Sequence, residues 1–165
     1  MKFVLLAVFA GMSIYIGYMF SRKYKTRENF FLALVMLCQK FDVEINYSRQ
    51  RLKNIFSSSL DEKQKKSLQG IDKNFLSFID KETPLEKEYL FNGINFLKED
   101  EKDVIFMFFK NLGRSDVDSQ SKEIKNFQAR FESFSTNAIN ENKKYGQLAI
   151  KLGIVAGLFI VVLFI

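Results

Sequence analysis

The chain has 165 residues with 19 Phe, one Pro, one Cys and no His or Trp, so imidazole bases, Ser–His–Asp triads and His-ligated metals are excluded. The net charge of +6 invites a nucleic-acid reading, but all 19 acidic residues lie between Glu28 and Glu141, where 17 basic residues leave that stretch at −2. The remaining eight cations flank or cap two apolar ends, which makes the basic balance a membrane-topology signal and not a DNA footprint.

Phe3 to Phe20 is 18 residues without a charge, long enough as a helix to cross about 27 Å of hydrocarbon. Arg22, Lys23, Lys25 and Arg27 follow at once, where a cleaved signal peptide would show small residues. The reading is an uncleaved span with this end held in the cytoplasm. Ser21 or Thr26 is placed to cap a second helix. Its Phe30–Cys38 run is apolar on every side and continues through Phe41 and Ile45, the pattern of a helix central to a bundle. Cys38, the single cysteine, reads as a buried small hydrophobe.

Ser48 can cap a short helix carrying Leu52, Ile55 and Phe56. Ser59 with Glu62 makes a capping box for a helix that buries Leu68, Ile71, Phe75 and Phe78, weakened slightly by Gly70. Thr83-Pro84-Leu85-Glu86 has the cap, first-turn proline and returning Glu of a helix start, with Leu85, Tyr89, Gly93 and Phe96 on the following face. Glu99, Asp100 and Glu101 suit the N-terminus of a helix that runs through Val104–Phe109 and ends at Leu112 before Gly113.

Ser115 or Asp116 opens the last and longest helix. Ile124, Phe127, Phe131, Phe134 and Ala138 recur at spacings of three and four, and Glu141, Tyr145, Leu148 and Leu152 continue that spacing. From Leu152 to Ile165 no polar or charged side chain appears. The helix therefore passes unbroken from a soluble bundle into a bilayer. Ala149, Gly153 and Gly157 form a small-residue ridge of the kind that lets membrane helices approach closely, and Ser13 and Gly17 give the first span a shorter one. The predicted fold is all-α: a transmembrane helix over 1–21, a six-helix cytoplasmic bundle over 22–146, and a second transmembrane helix over 147–165 continuous with the last bundle helix.

Three segments carry a resemblance. Leu112-Gly113-Arg114-Ser115-Asp116-Val117-Asp118-Ser119-Gln120 resembles a Leu-Gly-x-x-Asp-x-x-Gly-Gln turn, with Ser119 in place of the second Gly. Glu44-Ile45-Asn46-Tyr47 resembles the end of a first soluble helix, although Ser48 and Arg49 stand where Thr-Pro-Leu is usual. Lys151-Leu152-Gly153-Ile154-Val155-Ala156-Gly157 resembles the Lys-Leu-Gly-x-x-x-Gly start of a last span. In this order and spacing they resemble the stage III sporulation protein AB family of spore-forming bacteria. That family is similar to the inner-membrane platform proteins of type II secretion and type IV pilus machines. The resemblance implies a cytoplasmic bundle on membrane anchors, acting in the channel complex between mother cell and forespore. The implied partners are a secretion-type ATPase and other membrane subunits of that complex.

The residues themselves point to no enzyme and no cofactor. The carboxylates at Glu82, Glu86 and Glu88 and at Glu99, Asp100, Glu101 and Asp103 fall in predicted first turns, where the helix dipole accounts for them. Glu44, Tyr47, Leu112, Gly113, Asp116 and Gln120 are the candidates for partner contact or turn structure; at 116 an Asp or Ser cap is the plainer account of the turn, and a partner contact is compatible with it. Membrane lipid is an expected partner, nucleic acid is not, and a homo-oligomer is compatible with the pattern. Two readings stand: an assembly platform anchored in the membrane, and a membrane-tethered regulator or sensor that binds a partner through its bundle.

Overall fold

Every regular element of the computed structural model, which describes residues 2–47, 60–81, 85–114 and 116–164, is helical. The elements are α1 (Lys2–Tyr47), α2 (Glu62–Ser67), α3 (Ile71–Lys81), α4 (Lys87–Leu90), α5 (Glu99–Asn111), α6 (Val117–Glu141), a π-turn (Asn142–Gly146) and α7 (Gln147–Phe164). The chain divides into two compact units, Met1–Glu28 with Thr136–Ile165, and Asn29–Ser135.

The expected boundary between a first span and a first bundle helix is absent. α1 is one helix of 46 residues. Ser21 and Thr26 cap nothing, because no Gly or Pro between Gly17 and Tyr47 ends the preceding helix. Lys25 and Glu28 add an i,i+3 ion pair at 2.6 Å across the expected break.

The Asn29–Ser135 unit is built on phenylalanine. Phe30, Phe31 and Phe41 of α1, Phe75 of α3, Phe108 and Phe109 of α5 and Phe131 of α6 are fully buried. Phe108 is the hub, with ring centroids 5.1 Å from Phe109, 5.5 Å from Phe127 and 5.4 Å from Phe131, all edge-to-face. That geometry sets the positive ring edge against the negative face. Cys38 lies inside this core, and burial pushes its thiol well above the ordinary range.

Several local expectations are corrected. The capping box of α2 uses Asp61 and Gln64: Asp61 Oδ1 accepts from the Gln64 N–H at 2.7 Å and Gln64 Oε1 accepts from the Asp61 N–H at 3.2 Å. Ser59 lies outside the described residues. Gly70 breaks its helix and does not merely weaken it. Gln69 and Gly70 adopt φ of 54° and 87°, so α2 ends and α3 begins within three residues. The helix expected after Thr83-Pro84, which themselves lie outside the described residues, is the single turn α4. Gly93 takes φ of 77° and turns the chain, so Leu90, Phe91, Ile94 and Leu97 are buried while Tyr89 is exposed. The expected helix of Leu52, Ile55 and Phe56 also lies outside the described residues.

α5 matches expectation. Glu99, Asp100 and Glu101 fill its first turn, the buried Glu101 accepts from the Lys98 N–H at 2.9 Å, and Gly113 follows the end with φ of 81°.

The final helix runs on without a break, but it is not α-helical throughout. Ile124, Phe131 and Ala138 are buried as the stripe requires, but Tyr145, Leu148 and Leu152 are 44, 46 and 58 % exposed. The buried positions after Ala138 are instead Gly146, Gly153 and Gly157. In a pure α-helix, eight residues from Ala138 to Gly146 overshoot the stripe by about 80°. The π-turn takes up one surplus residue and returns Gly146 to the buried side. Val117–Leu163 is the one helix among the described residues long and apolar enough to cross a membrane, with a window of mean hydropathy 2.2, where the sequence predicts two spans.

Candidate functional site

Two features of the fold gather the sequence candidates. The first lies wholly within the Met1–Glu28 and Thr136–Ile165 unit. There α1 and α7 run antiparallel, with Ala10 against Gly157, Ser13 and Gly17 against Gly153, and Gly17 against Ala149. A Cβ on Gly17 would stand 2.6 Å from the carbonyl oxygen of Ala149, and one on Gly153 would stand 3.0 Å from that of Ser13. Only glycine allows so close an approach of two backbones. Ser13 Oγ donates to the Gly153 carbonyl at 3.1 Å. Gly11, by contrast, has open space around it.

Toward the charged end, the same pair is held by polar groups. The guanidinium of the buried Arg27 donates to Glu141, and the Asn142 amide donates to Glu28 at 2.6 Å. Tyr24 and Tyr145 lie with ring centroids 6.1 Å apart. The π-turn therefore sits between a buried ion pair and a glycine ridge. Arg27, Glu141 and Asn142 were missing from the sequence candidates. Their separation of more than a hundred positions hides them, and Arg27 just beyond the apolar Phe3–Phe20 stretch is the local hint.

The second feature lies within the Asn29–Ser135 unit, where the end of α1 meets the start of α6. Leu112 is buried at the end of α5, and the Gly113 N–H donates to Oε1 of the buried Gln120 at 2.8 Å. Asp116 caps α6: its Oδ2 accepts from the Ser119 N–H at 3.2 Å, and hydrogen bonds from the Ser119 hydroxyl and then from its N–H hold the carboxyl below the ordinary range. Each of the four residues thus has a structural task in closing one turn.

One residue beyond Gln120, Ser121 Oγ donates to Asp42 of α1, and Asn46 Nδ2 reaches Ser121 Oγ at 3.3 Å. Lys125 lies 3.5 Å from the other oxygen of Asp42. The structure so brings together the Glu44–Tyr47 and Asp116–Gln120 segments that the sequence held apart. The linking residues are Asp42, Asn46, Ser121 and Lys125, which sequence reasoning missed. Asp42 and Asn46 one turn apart on α1 were the available signal. Oε2 of Glu44 is buried and finds no hydrogen-bond partner among the described residues. Tyr47 closes α1.

Between α5 and α6 an open groove of about 510 Å³ is lined by the apolar Val104, Met107 and Phe127 and by the charged Asp103, Glu123 and Arg130. Asn111 donates to Glu123 across it at 2.7 Å.

The sequence model of the family described as Stage III sporulation protein AB matches residues 2–165. No curated protein and no solved structure matches the chain. A match over nearly every residue, on an all-helical fold with an apolar final helix, decides the membership. The chain belongs to the stage III sporulation protein AB family, and its role is in sporulation.

Proposed function

We propose that this protein is a two-span membrane platform of the sporulation channel complex between mother cell and forespore. Its Asn29–Ser135 unit faces the cytoplasm and engages a secretion-type ATPase and other membrane subunits, without catalysis of its own. The observation that carries the reading is the inverted polarity of the α1–α7 pair. Small residues fill its inside, while Phe9, Met12, Tyr15, Ile16 and Met19 of α1 and Val155, Leu158, Phe159 and Val162 of α7 are exposed. A soluble pair buries its large apolar side chains, whereas a pair in lipid has no reason to. The cations beside the pair favour a cytoplasmic position for the domain between the spans.

A gentle detergent pulldown from sporulating cells tests the platform. Recovery of a secretion-type ATPase together with membrane subunits supports it. Recovery of the chain alone, with a melt that responds to a small ligand, favours a tethered regulator. Orientation is tested by impermeant thiol labelling of intact cells carrying Glu88→Cys in a Cys38→Ala background. Labelling there would refute the cytoplasmic position.

A further inference from the structure

The helices of the Met1–Glu28 and Thr136–Ile165 unit meet at one level beside the apolar stretch, where Gly146 lies beside Ser21 and Asn142 bonds Glu28. Around that level, between Arg22 and Glu28 and between Glu141 and Lys151, the chain carries seven cations against two acids, Glu28 and Glu141. Both acids are already engaged. Glu141 takes the buried Arg27, and Glu28 takes Lys25 and the Asn142 amide, each at 2.6 Å. Arg22, Lys23, Lys143, Lys144 and Lys151 are exposed, and none of them pairs with an acid among the described residues. Lys143 and Lys144 project from the π-turn. The Lys144 ammonium stands 5.2 Å from the ring of the exposed Tyr145, an aromatic of the type that settles at headgroup depth. Lys151 lies two turns further along α7 and has the reach to snorkel back toward the same level.

We propose that this collar is a binding surface for the phosphate headgroups of anionic lipid in the leaflet it faces. The inference rests on the membrane reading above and goes beyond it. Topology requires only that cations sit beside a span, whereas here the neighbouring acids are taken internally and five charges on two adjacent helices are left for an external anion. A bilayer surface supplies such anions at the same depth all round the pair, which matches a collar better than a single soluble ligand does.

The test uses the full chain in nanodiscs of equal phosphatidylglycerol and phosphatidylcholine, with native mass spectrometry reading the lipids that stay bound. Phosphatidylglycerol is expected to be enriched over the bulk ratio. Each cation removed by Arg22→Gln, Lys23→Gln, Lys143→Gln or Lys144→Gln should lower the enrichment, by up to roughly fivefold and less in high salt. Lys143→Arg with Lys144→Arg should preserve it. Neutralising four exposed lysines of the other unit, Lys63, Lys66, Lys73 and Lys110, should leave it unchanged. Bulk-ratio lipid on the parent protein overturns the inference and leaves the membrane reading intact. So does enrichment that survives the four collar substitutions, or that excess inorganic phosphate abolishes, which would mark a soluble-anion site. Failure of the chain to stay in phosphatidylcholine nanodiscs would overturn the membrane reading and the collar together.

Discussion

Phe131→Ala probes the phenylalanine core most directly. The side chain is fully buried, with its ring edge-to-face on Phe108 at 5.4 Å and tilted on Phe127 at 6.2 Å. Returning such a side chain to water costs about 1.5–3 kcal/mol. Losing a ring pair adds about 0.5–1.5 kcal/mol, and the cavity brings the total to about 3–5 kcal/mol. That is a large part of the 5–15 kcal/mol or so that holds an ordinary domain folded. In a unit of this size each kcal/mol moves the melting midpoint by roughly 4 °C or more. The assay is a thermal melt of the full chain in mild detergent, followed by circular dichroism. Met107→Ala is the control, since Met107 is half exposed on the neighbouring helix and should shift stability by less than about 1 kcal/mol. A Phe131→Ala loss no larger than that of Met107→Ala would mean that the stripe does not seal the core as described.

The other predictions address the α1–α7 pair, the turn, a buried acid and the coupling between the two halves. Gly17→Val should disrupt the α1–α7 pair, at a cost of about 1–3 kcal/mol, while Gly11→Ala should be silent; a thermal melt of the full chain in mild detergent reads the difference, and equal midpoints for the two variants would refute the close approach. Gln120→Ala strands the Gly113 N–H and should cost about 1–3 kcal/mol by urea unfolding; a loss no larger than that of an exposed substitution would refute the closing role. Burial raises the Asp72 carboxyl above its ordinary range against the pull of backbone hydrogen bonds and of Lys73 and Lys65, and its Oδ1 finds no partner among the described residues. Its stabilising contribution is therefore complete below the ordinary carboxylate range and is lost as pH rises through the raised value, so Asp72→Asn should stabilise the protein at pH 7 and the gain should vanish in acid; a gain independent of pH would show that titration is not the cause. On the platform reading, Gly-Gly-Ser inserted between Lys144 and Tyr145 should spare membrane insertion and the melt but abolish sporulation, whereas four inserted Ala keep the segment helical and add about one turn; normal sporulation of the Gly-rich variant would refute the coupling.

Long periodic patterns were readable from the residues. Ile124, Phe131 and Ala138 lie where the stripe puts them, and Glu99–Glu101 with Gly113 bound α5 as their chemistry dictates. Short-range punctuation was read less well. Gly70 and Gly93 each sit in a helical pattern, and only their positive φ in the folded chain tells a tolerated glycine from a break. The Asp61–Gln64 box starts two residues after the Ser59–Glu62 one, and the local pattern of caps does not rank the two. Among the candidate residues, the partners within Leu112–Gln120 are local and were foreseeable. The bonds that tie Asp42 and Asn46 to Ser121 span more than seventy positions, and no periodicity encodes them.

The π-turn also bears on how this chain can change length. Asn142–Gly146 stores one residue more than an α-helix needs over the same rise. Deleting a residue there would return the segment to α geometry with Gly153 still facing Gly17. The same deletion between Gln147 and Gly153 would swing the ridge by about 100° and present Ile154 to Gly17, where there is no room for a side chain. A single-residue loss is therefore absorbed at one place in the final helix. Relatives one residue shorter at that place would keep the same faces paired with an uninterrupted helix.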